Sequence, residues 1–327
     1  MLSVKYFLEN YTGFQTDAQV DVTHKVHDGV NTWPLVSLKY GNPNKPTLLI
    51  TGGIHGLERI GAQLCLSLLY SFQERLQWDR VLQSMLSSLQ VVFIPVVNPV
   101  GYFQTSRSNG QGVDLMRNAP IESKEKVPFF LGGQNYSNRF PWYRGTEVAT
   151  ETQFVLDQVK NILSKTSHLI SLDLHSGFGF SDQIWFPFAN SKQVFTQISE
   201  LHLFFKLFEK THPYHIYKIE PQSKNYLTHG DIWDYCYLNY KKPEQTYLPL
   251  TLEMGSWTWV KKNPLQIFSK TGLFNPIKEH RLNRTMRRHR PLFDFILHSL
   301  VAHNVWSSID EKIKTQIYAE ALQQYYE

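Results

Sequence analysis

Residues 50–61 carry one imidazole, His55, and one carboxylate, Glu58, in a turn otherwise poor in side chains, with Gly52, Gly53 and Gly56 around them. An imidazole nitrogen and a carboxylate oxygen three residues apart are compatible with two ligands to one zinc ion, at about 2.0–2.2 Å each. Alone the pair is ambiguous, because glycine-rich junctions are common where a strand turns into a helix. Two further groups sharpen it: His175 closes the apolar run 168–175, and Glu253 lies at the end of the apolar run 247–254. Two histidines and a glutamate with an open fourth position make a catalytic zinc site. Glu253 would then be the carboxylate outside the ligand set that takes a proton from water at the metal. Taken singly, His175 is an ordinary strand-end histidine and Glu253 an ordinary rim carboxylate. The chemistry needs a fold that brings separate strand ends to one edge.

The hydrophobic pattern supplies such a fold. Apolar-rich runs at 47–50, 91–97, 168–175 and 247–254 read as buried strands, with Pro95 suited to a strand end. Leu64, Leu68, Phe72 and Leu76 recur at four-residue steps and predict a helix over 60–76. Further helices are expected over 151–163, 192–210, 281–305 and 310–324. Shorter strands are expected over 184–188 and 214–219, and within 1–45, where 32–38 alternates. The stretch from 98 to about 145 is rich in Gly, Asn, Ser and Pro, and loops of that length in a compact domain are usually functional. Alternation of strands and helices without repeat, low-complexity tract or composition break predicts an α/β fold. It is read as a single domain spanning 1–327, with a mixed, mostly parallel central sheet flanked by helices. Parallel strands would gather their carboxyl ends, and with them His55, Glu58, His175 and Glu253, at one edge.

Composition excludes several alternatives. The chain has 327 residues, 42% hydrophobic, 14% aromatic and 19% charged, which is ample for a core and unlike a disordered segment. A net charge of +5 is too mild to imply a nucleic-acid partner. The basic run 278–290 lacks the aromatic interleaving of nucleic-acid modules and reads as a solvated helix face or as internal ion pairs. Two cysteines, Cys65 and Cys236, are too few for a disulfide framework or a thiolate zinc site. With no leader-like N-terminus and no apolar run of membrane-spanning length, a soluble, cytoplasmic protein without a membrane partner is expected.

Several ordered motifs make the reading specific. They are His55-Gly-Leu-Glu58, Asn98-Pro-Val-Gly101, the segment from Arg107 through Asn109, Gly112, Asp114, Met116 and Arg117 to Asn118, and Tyr143-Arg-Gly145 followed by Glu151-Thr152. Asp173-Leu-His175-Ser176 and Thr251-Leu-Glu253 complete the set. Over nearly its whole length the chain resembles the M14 zinc carboxypeptidases, whose motifs include His-x-x-Glu, Asn-Pro-x-Gly and Arg-x-Asn-x-x-Gly-Val-Asp-Leu-Asn-Arg-Asn. The resemblance implies one Zn²⁺ held by His55, Glu58 and His175, with Glu253 as general base and later acid. It implies Arg107 as the cation that polarises the scissile carbonyl, and Arg117, with Asn109 in the same motif, at the substrate. Tyr226, eight residues before Asp234, is placed as the mobile tyrosine over the substrate.

One position departs. Met116 stands where the family usually has an Asn that shares carboxylate docking with Arg117, and a thioether cannot donate the amide's hydrogen bonds. Asp173 shares a strand face with His175 and could orient that ligand or make a plain buried hydrogen bond. Asp231 or Asp234 near the specificity pocket would favour a basic substrate side chain. The expected activity is zinc-dependent removal of C-terminal residues from a peptide. The alternatives are an amidase or deacylase acting on cell-wall peptides or N-acyl amino acids, and a catalytically inactive binding module retaining the fold. Oligomeric state is not legible.

Overall fold

The computed structural model describes residues 3–14 and 17–327. Among them one sheet contains β1 (Gln19–His27), β2 (Thr32–Gly41), β3 (Thr47–Gly52), β4 (Gln90–Ile94), β5 (His168–Ser176), β6 (Gln183–Phe186), β7 (Lys218–Pro221) and β8 (Thr246–Met254). Their spatial order is β1-β2-β4-β3-β5-β8-β6-β7. The four central strands β4, β3, β5 and β8 are mutually parallel, whereas β2 runs antiparallel to β1 and β4, and β6 runs antiparallel to β8. Every residue of β3 and β4 is buried, which is why these strands read as unbroken apolar runs rather than alternating ones. Edge strand β1 has only Val26 buried and carries a bulge between Asp21 and His24.

Sheet order creates the site. From β3 the chain passes to β4 on one side, then crosses back to β5 on the other, so the carboxyl ends of β3 and β5 diverge and leave a crevice between them. The helix Arg59–Leu76 packs on β3 and β5, and Arg290–Val301 packs on β3. Close approach there depends on Gly61, because a Cβ at that position would fall 2.2 Å from the carbonyl oxygen of Leu174, the residue before His175. Gly61→Ala is therefore expected to destabilise the fold by about 1–3 kcal/mol, as overpacking does. Urea titration of the two proteins checks this, and an unchanged midpoint would mean that helix and strand are not pressed together.

Several expected elements move. The helix expected over 281–305 is two helices, Glu279–Arg288 and Arg290–Val301, separated at His289. Pro291 has no N–H and its ring opposes the carbonyl four residues back, so it fits only the first turn of a new helix. The helix expected from 192 starts at Ile198, where the Gln197 amide bridges Gln245 O and Tyr247 N of the sheet. The strand expected over 214–219 is β7, displaced to Lys218–Pro221, and His212 and His215 pack on the Phe208 ring before it. An unanticipated helix, Val4–Asn10, begins the described chain. Ser3 caps it by accepting from Tyr6 N, and Val4, Phe7 and Leu8 are its buried face.

Candidate metal centre

His55 follows β3 in a tight turn in which Glu58 N donates to His55 O. Glu58 occupies the N-cap position of the helix Arg59–Leu76, yet its side chain makes no capping bond. Asn275 substitutes: its Oδ1 accepts from Ile60 N at 2.9 Å while its Nδ2 donates to Leu57 O at 2.8 Å. The Glu58 carboxylate is thereby left to face the crevice. Asn98 anchors the other side of the turn, accepting from Gly101 N and donating to Ile54 O. Gly56 lies against Gly101, where a Cβ would come within 2.0 Å of the carbonyl carbon.

His175, near the end of β5, meets the same carboxylate. Glu58 Oε1 is 2.8 Å from His55 Nδ1, and Glu58 Oε2 is 3.0 Å from His175 Nδ1 and accepts from Ser176 N at 2.9 Å. One donor atom from each of His55, Glu58 and His175 lies within 4.8 Å of the others, and all three side chains are buried. The remaining ring nitrogens are also oriented. His55 Nε2 faces Asp114 Oδ1 at 3.2 Å, and His175 Nε2 faces Asp173 Oδ2 at 2.6 Å. Each imidazole therefore has a carboxylate on both sides. Such a site is satisfied either by a second proton on each ring or by one divalent cation in place of those protons. With Nε2–H given to the outer carboxylates, both Nδ1 lone pairs are directed inward, the usual orientation of zinc-binding histidines. The residues present therefore fit a zinc ion.

The outer carboxylates are themselves held. Asp173 accepts from Trp233 Nε1 at 3.0 Å and from Thr51 Oγ1 at 2.8 Å, so its bond to His175 is both a buried hydrogen bond and the orientation of a ligand. Asp114 accepts from Arg107 Nε at 2.8 Å and from Met116 N at 3.1 Å, and Arg107 Nη1 reaches Glu58 Oε1 at 3.3 Å. Burial works against every charge in this cluster, but the partners win. Arg107 and then His55 hold Asp114 well below the usual carboxylate range, and His55 with His175 does the same for Glu58. Asp173 and Glu58 hold His175 well above the usual imidazole range despite its burial.

Glu253 stands opposite. It is the parallel-strand partner of His175 in the β5–β8 register, and its Oε1 accepts from Phe178 N at 2.9 Å. Burial first, and the Glu58 carboxylate next, push it up to about 8. A cavity of about 420 Å³ joins these groups, lined by His55, Glu58, His175, Glu253, Arg107 and Arg117. Arg117 is 2% exposed; its Nε donates to Leu131 O and its Nη1 to Met116 O, while its Nη2 has no partner. Tyr226 and Met116 also line the cavity, and the Arg117 guanidinium sits 5.9 Å from the Tyr226 ring centre.

Not every expected residue reaches this space. Asn109 does not line the cavity: its Oδ1 accepts from Gln111 N and Val113 N of its own loop, and its Nδ2 donates to Glu151 in the helix Thr150–Leu163. Asp231 and Asp234 do not line it either. Asp231 caps the helix Ile232–Tyr240, and Asp234 accepts from Ala189 N and Asn190 N, which removes the ground for expecting a basic substrate side chain. Of the residues that sequence reasoning gave no role, Asp114 had a signal, its place in the motif beginning at Arg107. Trp233 and Asn275 had none.

The zinc carboxypeptidase profile matches residues 20–266. Among curated proteins, the inactive metallocarboxypeptidase ECM14 of Ajellomyces capsulatus is 29% identical over 177 residues, covering 48% of this chain and 28% of that protein. Metallocarboxypeptidase A of Arthroderma otae is 28% identical over 190 residues, covering 52% of this chain and 43% of that protein. The chain thus spans less than half the length of these relatives. Carboxypeptidase A of Helicoverpa armigera superposes with a TM-score of 0.66 at 17% identity, covering 95% of this chain and 75% of that one, a likeness of fold.

Proposed function

Because this chain belongs to the zinc carboxypeptidase family, we propose that it is a zinc-dependent peptidase that removes residues from the free carboxyl end of a peptide. One observation supports this reading: the cavity holding the His55–Glu58–His175 donors is also lined by Arg117, a buried guanidinium whose Nη2 has no hydrogen-bond partner. A cationic donor left without a partner in a pocket is matched by an anion arriving with the substrate, and a terminal carboxylate is such an anion. His55, Glu58 and His175 would hold the zinc ion, which when bound supplies Lewis acidity and lowers the pKa of water. Glu253 accepts the proton of the attacking water and returns it to the departing amine as the C–N bond breaks. Arg107, fixed by Asp114, donates to the carbonyl oxygen as negative charge develops there. Tyr226 closes the wall beside Arg117. The described residues work as one catalytic domain.

Met116 favours a second reading. It lines the cavity next to Arg117 and supplies a thioether where a second donor to a carboxylate would stand, which suits an N-acyl amino acid or a cell-wall peptide held differently. Peptides with free and amidated C-termini separate the two. Under the first reading the free acid is preferred, and Arg117→Lys, which keeps the charge but loses the planar fork, costs the free acid selectively. The expected loss is about 1.5–3 kcal/mol, or roughly ten- to 150-fold in kcat/KM. Equal rates on acid and amide, with no selective effect of the variant, would favour the amidase. The similarity to a relative named inactive makes a binding module the third possibility, and measured turnover by the zinc-loaded protein excludes it.

A further inference from the structure

The segment following β8 has its polarity reversed. In the short 3-10 helix Pro264–Phe268 the one polar side chain, Gln266, is 2% exposed, while Leu265 is 76% and Phe268 86% exposed. Gln266 is held inside by donating to Gly272 O at 2.6 Å and to Asn275 O at 3.4 Å, so the apolar residues are turned outward by a specific bond rather than by fraying. Ile267, Leu273 and Ile277 are exposed beside them. Phe180 joins from the loop after β5, its ring 5.4 Å from that of Trp257, and both line an apolar hollow with Val260, Pro264 and Leu273. Exposed apolar groups concentrated in this way mark an interaction site.

Charge identifies the partner. The 25 residues from Met254 to Lys278 contain four lysines (Lys261, Lys262, Lys270 and Lys278) and no aspartate or glutamate. All four lysines are exposed, and on the next helix the exposed Arg284 and Arg287 outweigh its one acid, the exposed Glu279. Apolar tips ringed by flexible cations of one sign are complementary to a surface that is negatively charged outside and hydrocarbon within. A second copy of the chain is a poor match, since a two-fold contact would set the lysines against themselves. We propose that this face docks on an anionic membrane surface, with Leu265, Ile267 and Phe268 entering the interface and the lysines meeting the headgroups. No helix among the described residues is long and apolar enough to cross a membrane, and a peripheral contact needs none. A chain without a spanning segment can still bind peripherally, so docking here replaces the expectation of no membrane partner. Docking here would bring the cleft mouth to the membrane, because Phe274 of the same segment lines the catalytic cavity and its carbonyl accepts from Ser176 Oγ at 2.7 Å.

Co-sedimentation of the full chain with phosphatidylcholine vesicles, with and without phosphatidylglycerol, tests the proposal. Binding at least tenfold stronger to the anionic vesicles is expected, weakening as salt is raised. The double variants Leu265→Ser/Phe268→Ser and Lys261→Gln/Lys262→Gln should each lower that partitioning about tenfold or more, with melting temperature and hydrolysis of a soluble peptide unchanged. Failure to bind anionic vesicles, equal binding to neutral ones, or undiminished binding by both double variants would overturn it. So would concentration-dependent self-association in sedimentation velocity that Leu265→Ser/Phe268→Ser abolishes, since the face would then be a contact between copies.

Discussion

Glu253→Gln should lower kcat by about 10²–10⁴-fold while the protein still binds one equivalent of zinc. The substitution preserves shape, and the amide oxygen can still accept from Phe178 N as Glu253 Oε1 does. The donor set of His55, Glu58 and His175 is untouched, so metal content and melting temperature should match the parent. What disappears is the ability to receive a proton from water and deliver it to the leaving nitrogen. In the metal-free site, burial and then the nearby Glu58 raise the Glu253 carboxyl to about 8, so there it binds a proton more tightly than a surface glutamate. Elemental analysis, thermal melts and peptide hydrolysis on the same preparations separate the effects. A variant with full zinc occupancy and more than a tenth of parental turnover would show that the proton passes through another group.

Removal of zinc should abolish activity and lower the melting temperature, with both restored by one equivalent. At a free zinc concentration a thousand times Kd, binding stabilises the folded state by about 4 kcal/mol. For a chain of this size that corresponds to roughly 6 °C. The pH dependence has a definite sign. In the metal-free protein His175 is held well above the usual imidazole range by Asp173 and Glu58 against its burial. A raised folded-state pKa contributes stability that is complete below the unfolded value and is lost as pH rises through the folded one. Zinc competes for that nitrogen, so metal binding releases a proton and the stabilisation by zinc should grow from pH 6 towards pH 8. His175→Ala should remove both the zinc-dependent shift in melting temperature and the activity. A shift in melting temperature that is independent of pH, or that survives His175→Ala, would place the metal elsewhere.

The part of this protein that its sequence alone determined is local or periodic. Apolar-rich runs mark β3, β5 and β8 because central parallel strands are buried on both faces, with Asp173, His175 and Glu253 among the polar exceptions. His55 and Glu58 are separated by one short turn, which brings them close together whatever the rest of the chain does. Even the missed helix Val4–Asn10 had its signal, a capping Ser3 and apolar residues at helical spacing. The division of the helix expected over 281–305 was written in Pro291.

Tertiary structure decided which polar groups face one another, because that depends on how distant elements dock. Asn275 caps a helix more than two hundred residues earlier and so frees Glu58 for the metal site. Trp233 fixes Asp173 behind His175. Asn109, Asp231 and Asp234 are polar residues near the motifs, yet they do not line the cavity: Asn109 holds its own loop's amides and Glu151, Asp231 accepts from the amides of the helix it caps, and Asp234 accepts from the distant Ala189 N and Asn190 N. The outward turn of Leu265 and Phe268 has the same origin, since residue type alone would put them inside and Gln266 outside. Periodicity tells which face of an element is apolar; only packing tells what each face meets.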